Sequence, residues 1–151
     1  MHWTAVRTLE GSFNAFAPEK IPGRRTELSG AGEVNVSTHF LVDRDGTIYR
    51  LMPETWMARH VIGLNYDAIG VENVGGAGGA EDLTEAQVAA NISLVRYLAS
   101  RYPGIRYLIG HSEYREFEDH PLWRELDAGY RTEKIDPGNR FLSRVRAGVQ
   151  A

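Results

Sequence analysis

Runs of β-branched and aromatic residues mark the candidate strands of this chain. Residues 34–42 and 47–52 are two such runs, and the turn between them ends in Asp-Gly, which predicts a β-hairpin. Residues 69–74 form a further short candidate strand, and residues 1–6 are apolar enough to be the end of another. The pattern therefore predicts a β-sheet.

The clearest helix follows Thr84. Thr84 can cap its N-terminus, and Glu85 favours the first turn because a carboxylate there faces the positive end of the helix dipole. An apolar stripe continues at helical spacing through Val88, Ile92, Val95 and Leu98 or Ala99. The helix should end near Tyr102, since the Pro-Gly pair that follows cannot continue it.

A buried-strand pattern, residues 106–110, follows this helix and leads into His111. A strand, a long helix and a second strand are typical of a crossover that places the helix over a sheet. Helical spacing returns in Phe141, Leu142, Val145 and Val149. Residues 7–33 and 112–133 show no sustained period and are expected to be loops. The predicted fold is therefore α/β, with residues 1–151 as one domain: a mixed β-sheet flanked by two or more helices.

The composition suits one globular domain and limits the chemistry. The chain has 151 residues and a formal charge of −3, so a nucleic-acid-binding surface, which is usually basic, is not expected. No apolar run approaches the roughly 20 residues that span a membrane, and the first residues lack the apolar run of a signal peptide. Cysteine is absent, so any metal must be held by His, Asp or Glu.

Three residues are candidate ligands of a hydrolytic metal site, which uses three protein ligands and leaves a fourth position for water. His111 ends an apolar strand pattern, but it could equally be a capping or turn histidine. His2, taken alone, is an ordinary residue near the N-terminus. Asp136 stands in an Asp-Pro-Gly sequence, which is usually only a turn. None of the three is convincing singly.

Two charged residues could complete such a site. Lys134 lies two positions before Asp136, so in an extended segment both side chains point the same way. A lysine there would supply positive charge where an oxyanion forms. The alternative is a solvated ion pair that contributes almost nothing to stability. Glu72 interrupts an apolar strand, and it lies either on the solvent face of the sheet or in a site.

Six motifs occur in order along the chain: HWT at 2–4, THFLVDRDGTIYR at 38–50, ARH at 58–60, AIGVENVG at 68–75, GHSEY at 110–114 and KIDPG at 134–138. Each motif is weak alone, but together they cover nearly the whole chain. In this order they resemble the type-2 N-acetylmuramoyl-L-alanine amidase family. That family includes peptidoglycan recognition proteins, phage lysozyme-like amidases and a muropeptide-recycling amidase.

The resemblance implies a zinc site. His2, His111 and Asp136 match the family's three Zn²⁺ ligands. Glu72 matches the catalytic base of the branch that has Asp as its third ligand. The branch that has Cys instead often carries a tyrosine just before the sheet histidine, and here that position is Thr38. The chain therefore fits the Asp/Glu branch.

The resemblance also implies roles around the zinc. Lys134 matches the lysine two residues before the third ligand. His60 and Asn65 are expected to line the groove and bind substrate. His39 is expected to pack within the sheet, and His120, which has no family counterpart, to lie at the surface. The long segment at 112–133 is expected to build one wall of the groove.

The implied activity is hydrolysis of the amide bond between N-acetylmuramic acid and L-alanine, in peptidoglycan or muropeptides, by a monomeric enzyme. Two other classes remain open. A non-catalytic peptidoglycan-binding module has the same fold but lacks a zinc ligand. A mononuclear iron oxygenase also uses two histidines and a carboxylate, although commonly with a His-x-Asp pair that is absent here. The sequence leaves the cellular role open between cell-wall recycling, phage-driven lysis and a secreted function.

Overall fold

The computed structural model describes residues 1–23 and 32–151, which form a four-stranded mixed sheet and three α-helices. In chain order the elements are β1 (His2–Trp3), α1 (Leu9–Phe16), β2 (Phe40–Val42), β3 (Ile48–Arg50), β4 (Val71–Asn73), α2 (Glu85–Arg101) and α3 (Asn139–Gln150). Short 3₁₀-helices cover Ala77–Gly79 and His111–Phe117. The predicted α/β architecture, a mixed sheet flanked by helices, is confirmed.

The strands lie in the order β1–β4–β2–β3. β4 pairs in parallel with β1 on one side and with β2 on the other, and β2 pairs antiparallel with β3. The predicted hairpin is therefore present, with Phe40 opposite Arg50. Its strands are shorter than the runs that predicted them, with three residues each.

The two faces of the sheet have different neighbours, because successive side chains of a strand point to opposite faces. Phe40 and Val42 of β2 and Val71 of β4 pack together with Leu94 and Leu98 of α2. This face is therefore covered by the long helix. The alternate residues of β1 and β4 point to the opposite face, where the candidate site lies.

Helix α2 begins where the sequence predicts. The Thr84 side chain accepts a hydrogen bond from the backbone N–H of Gln87, and the Gln87 side chain accepts one from the backbone N–H of Thr84. These reciprocal bonds form a capping box, which satisfies two backbone donors that a helix start leaves unpaired. The predicted C-terminal helix is confirmed as α3, whose Phe141 and Leu142 share a core cluster with Val88 of α2.

The strand predicted at residues 106–110 is wrong. The segment contains no strand, and Tyr107 is exposed. Its backbone meets β1 only around Met1, through a bond from Met1 N to Ile109 O and one from His111 N to Met1 O. Both bonds are made by Met1, which precedes β1, so no ladder forms between this segment and β1. Helix α2 consequently connects β4 to an irregular segment instead of another strand.

The prediction that residues 7–33 form a loop is also wrong in part. Leu9–Phe16 forms α1, whose N-terminus is capped by the Thr8 side chain. Ser12 is the one fully buried residue of this eight-residue helix. Leu9, Phe13 and Phe16 do recur at helical spacing, but the stripe is too short to show as a sustained period. Residues 24–31 of the predicted loop lie outside the described part of the chain.

The segment at residues 112–133, predicted as irregular, begins inside the 3₁₀-helix His111–Phe117 and continues as turns.

His39 is fully buried. Its ring accepts a hydrogen bond from the Gly70 backbone N–H, and its Nε2 lies 2.7 Å from Trp56 O. The predicted packing of His39 within the sheet is confirmed.

Among the described residues, no helix has the length and apolar character needed to cross a membrane.

Candidate metal centre

The structure brings His2, His111 and Asp136 together although they are distant in the sequence. His2 Nδ1 lies 2.9 Å from His111 Nδ1 and 3.3 Å from Asp136 Oδ2. His111 Nδ1 lies 3.2 Å from the same carboxylate oxygen. A tetrahedral zinc ion with bonds of about 2.0–2.1 Å holds its ligand atoms about 3.3 Å apart. The triangle formed by these three atoms, hereafter the donor triangle, thus has nearly the size of one face of that tetrahedron.

Each corner of the donor triangle comes from a different part of the fold. β1 carries His2, and His111 opens a 3₁₀-helix. The backbone N–H of His111 donates to Met1 O, which ties the second corner to β1. The backbone N–H of Ser112 donates to Asp136 O, which ties the third corner to the second. Backbone hydrogen bonds therefore fix the spacing of the three side chains.

Burial determines the charges at the donor triangle. It lowers the pKa of His2 and of His111. Burial alone would raise the pKa of the Asp136 carboxyl, but its contacts with His111 and His2 outweigh this effect and hold that pKa well below its usual range. Neutral rings and an ionised carboxylate are the forms that metal ions bind. Two imidazole nitrogens and a carboxylate oxygen suit Zn²⁺, so the residues present fit this ion.

Glu72 lies next to His2 on the same face of the sheet. The two residues are opposite each other in the parallel pairing of β1 with β4. The Glu72 residue is only 9% exposed, and it lines a groove that runs past the donor triangle. Of the two positions that the sequence left open, the structure places this glutamate in the groove and not on a solvated face.

Lys134 lines the same groove as Asp136. Ile135 between them is 63% exposed, as expected if alternate side chains of this extended segment point to opposite sides. Burial lowers the pKa of His111 most, and the positive charge of Lys134 lowers it as well. The ammonium therefore lies within electrostatic reach of the donor triangle.

His60 and Asn65 also line the groove, but the polar atoms described for them are directed at the protein. His60 Nδ1 lies 3.0 Å from His2 Nε2, and His60 Nε2 lies 3.3 Å from Ala68 O. Asn65 Oδ1 accepts hydrogen bonds from the backbone N–H groups of His60 and Val61. Their roles in substrate binding stay predictions.

The groove has a volume of about 620 Å³, within the range of about 300–1,000 Å³ that is usual for ligand sites. The segment 112–133 contributes a set of lining residues: Arg124, Glu125, Leu126, Tyr130 and Thr132. The prediction that this segment builds one wall is confirmed. Leu126 on this wall and Tyr66 elsewhere in the groove are 97% and 70% exposed, so the groove offers apolar as well as charged contacts.

Sequence reasoning missed the role of Tyr114. Its side chain is almost fully buried, and its ring centre lies 5.8 Å from that of His111. The phenol oxygen donates to Thr132 O and accepts from the backbone N–H of Thr132. Tyr114 therefore braces the segment that leads to Lys134 and Asp136. The available signal was its position three residues after His111, which in a 3₁₀-helix places both on one side.

His120, predicted at the surface, is half-buried, and its Nε2 lies 3.1 Å from the Tyr107 hydroxyl. A second ring nitrogen, Nδ1, accepts from the backbone N–H of Leu122. His120 is not among the residues that line the groove. Within the part of the chain that the structure describes, both ring nitrogens of His120 thus contact other protein groups, which is typical of a structural role.

Comparisons with known proteins give a consistent result. A family model described as N-acetylmuramoyl-L-alanine amidase matches residues 1–139. The fold is similar to N-acetylmuramoyl-L-alanine amidase LysC from Clostridium intestinale URNW, with 28% identity, a TM-score of 0.57 and coverage of 81% of this chain and 70% of that chain. For endolysin N-acetylmuramoyl-L-alanine amidase LysCS from the same organism, the identity is 28%, the TM-score 0.54 and the coverage 78% and 69%. For a selenomethionine derivative of AmpD the identity is 28% and the TM-score 0.56, with coverage of 85% of this chain and 68% of that chain. No curated protein matches the chain significantly.

Proposed function

Since this chain belongs to the N-acetylmuramoyl-L-alanine amidase family, we propose that it hydrolyses the amide bond between N-acetylmuramic acid and L-alanine with the help of one Zn²⁺ ion. The observation that carries the zinc dependence is the donor triangle of His2, His111 and Asp136. These residues would hold the ion. Zinc in such a site polarises a carbonyl oxygen and lowers the pKa of water towards about 7.

Glu72 is the proposed general base. Its carboxylate borders the groove beside His2, where burial keeps bulk water away. It takes a proton from the attacking water as the water oxygen bonds to the carbonyl carbon. It then gives this proton to the amine nitrogen of L-alanine as the carbon–nitrogen bond breaks. The proton taken from water thus leaves with the product, and the carboxylate is regenerated.

Lys134 is the proposed source of positive charge for the oxyanion. The carbonyl oxygen gains negative charge as its carbon becomes tetrahedral, and a fixed cation in a partly dehydrated groove stabilises this charge strongly. Lys134 lines the groove and acts electrostatically on His111, which supports this role. The alternative of a solvated ion pair fits less well, because this side chain is partly buried.

The groove is the proposed site for peptidoglycan or muropeptides. His60 and Asn65 lie on its border together with exposed apolar side chains such as Met57 and Tyr66. Apolar surface suits the faces of sugar rings and the alanine methyl group. The basic groove residues Arg59 and Arg124 suit the carboxylates of the stem peptide. We expect a monomer to contain the whole site, since every residue proposed here belongs to one chain.

The binding module without catalytic activity, left open by the sequence, is less well supported. Such modules lack a zinc ligand, whereas this chain brings three ligand atoms within hydrogen-bonding distance of one another. Membership of the amidase family argues against the iron oxygenase. The donor triangle therefore favours the hydrolase.

The proposal is tested by zinc content and turnover in the same samples. The purified chain should hold about one zinc per molecule and release the stem peptide from a defined muropeptide. Chelation should abolish turnover and added zinc should restore it. Asp136→Ala should lose both zinc and activity, whereas Asp119→Ala, at an exposed carboxylate outside the groove, should keep both. A zinc-free sample with parental turnover, or a folded zinc-loaded sample with none, would overturn the proposal.

A further inference from the structure

A line of ring nitrogens connects the backbone of Ala68 to the donor triangle. His60 Nε2 lies 3.3 Å from the carbonyl oxygen of Ala68, and His60 Nδ1 lies 3.0 Å from His2 Nε2. The other nitrogen of His2, Nδ1, is one corner of the donor triangle. The two rings thus link a fixed backbone acceptor to a proposed zinc ligand.

The rules of hydrogen bonding determine where the protons lie along this line. A carbonyl oxygen only accepts, so His60 Nε2 carries a proton. An imidazole whose single proton is used at Nε2 can only accept at Nδ1, so His2 Nε2 is the donor across the 3.0 Å contact. His2 then presents its lone pair at Nδ1. The Nδ1 proton of His111, 2.9 Å from His2 Nδ1 and 3.2 Å from Asp136 Oδ2, can serve both acceptors.

We propose that His60 is a positioning residue that holds His2 in the tautomer protonated on Nε2 and thereby leaves the Nδ1 lone pair directed at the donor triangle. This inference rests on the proposed zinc site and adds to it a residue that touches neither the ion nor the reacting atoms. A ligating histidine is generally oriented by a partner on its second ring nitrogen. Here that partner is another histidine instead of a carboxylate or a backbone carbonyl.

The fold keeps His60 in place from two directions. Asn65 Oδ1 accepts from the backbone N–H groups of His60 and Val61, at 2.8 and 2.7 Å, and so fixes the loop that carries the ring. On the other side the ring packs directly against Gly70, where an added Cβ would lie 2.8 Å from His60 Cγ. Both Gly70 and Ala68 belong to the segment that leads into β4. The strand that carries Glu72 therefore also supports His60.

Loss of this partner should weaken zinc binding. Without an acceptor at Nε2, neutral His2 divides between its two tautomers and its ring can turn, so part of the population presents a proton to the metal. Removal of such an orienting partner typically costs about 10–100-fold in metal affinity.

The first test measures zinc affinity by competition with a chromophoric chelator. His60→Leu should bind zinc about 10–100-fold more weakly than the parent. His60→Asn should recover part of the loss, because its amide oxygen can occupy the place of Nδ1 as an acceptor. The matched control is His120→Leu, which removes a half-buried histidine outside the groove and should bind zinc within about twofold of the parent. A His60→Leu protein that binds zinc as tightly as the parent overturns the inference.

The second test reads the tautomer directly. Long-range ¹H–¹⁵N spectra of the metal-free parent chain should show His2 protonated on Nε2, and those of His60→Leu a mixture of both tautomers. A parent spectrum with the His2 proton on Nδ1 overturns the inference, even if the variants fail to fold. This measurement needs no zinc, so it separates the two proposals. A parent that shows the expected tautomer but binds no zinc contradicts the proposed function and leaves the His60 assignment supported.

Discussion

Carboxylates close to the groove differ in what surrounds them, and this difference selects the proposed base. Glu72 is largely buried beside His2 and lines the groove. Glu113, near the second ligand in the sequence, turns its carboxylate to Arg146 in a salt bridge of 2.7 Å. Glu133, next to Lys134, has a side chain that is 92% exposed. Of these three glutamates, only Glu72 has the position that a general base requires.

Glu72→Gln should retain the fold and zinc but lose about 10²–10⁴-fold in kcat, because an amide cannot take the proton of the attacking water. Glu133→Gln is the matched control: the same change at an exposed position should leave kcat within about twofold. Steady-state kinetics on a defined muropeptide, with metal analysis of each sample, checks both. Parental activity in Glu72→Gln would mean that another group is the base.

Lys134→Ala should lower kcat by about 10²–10³-fold, as the loss of one oxyanion donor does, with zinc still bound. The loss falls on kcat because the negative charge develops only as the carbonyl is attacked. Lys134→Arg should recover activity only in part, since a planar guanidinium does not take the place of a compact ammonium.

The matched control for Lys134 is Lys20→Ala, which removes an exposed ammonium paired with Glu33 and should leave kcat unchanged. Kinetic constants and zinc content of the three variants decide the matter. If Lys134→Ala keeps kcat within about twofold of the parent, the lysine is only a neighbour of the site.

At the scale of secondary structure, the sequence predicted the elements that carry their own local signal. Helix α2 has a capping residue, an apolar stripe and a Pro-Gly stop, and the hairpin has its Asp-Gly turn. Residues 106–110 have a strand-like composition, but a strand also needs a partner edge, and β1 forms its ladder with β4 and not with this segment. This error concerns tertiary context and not propensity. The error at α1 has another origin, because Leu9, Phe13 and Phe16 do lie at helical spacing but form too short a stripe to show as a sustained period.

The candidate site, too, could be predicted from the sequence only in part. The motifs indicated which residues belong to it, but spacing alone could not bring His2 to Asp136. Their meeting depends on strand register, which sets His2 opposite Glu72, and on the bond from Ser112 to the Asp136 carbonyl. The contact of His60 with His2 depends on side-chain direction, which no motif encodes.

The cap of helix α2 allows a prediction at this scale. The Thr84 hydroxyl oxygen accepts from Gln87 N–H and donates to Arg44 O, so it joins the helix to the turn of the hairpin. Thr84→Ala should therefore lower the free energy of unfolding by about 1 kcal/mol, within about 0.5–2. Ser93→Ala, at an exposed position inside α2, should change it by less than about 0.5 kcal/mol. Urea unfolding measures both, and equal effects of the two changes would contradict the capping role.

Across the whole molecule, the sheet separates two tasks. One face packs against α2 and forms the core with Leu94 and Leu98. The other carries Glu72, which lines the groove, and His2 opposite it. The second and third corners of the donor triangle approach this face from irregular segments near residues 111 and 136. A metal ion at the donor triangle would therefore hold together β1 and the segments that lead into the 3₁₀-helix and α3.

This arrangement predicts that zinc stabilises the whole chain. An ion that binds the folded state alone adds about 2.7 kcal/mol at a free concentration 100 times its Kd. For a domain of this size each kcal/mol raises Tm by about 2–4 °C, so the gain should be about 5–11 °C. Calorimetry with chelator and with zinc measures the shift. Glu72→Gln should show the full shift, because Glu72 is not a proposed ligand, and Asp136→Ala should show almost none. Equal shifts in these two variants would mean that zinc binds elsewhere on the chain, and the donor triangle would no longer be its site.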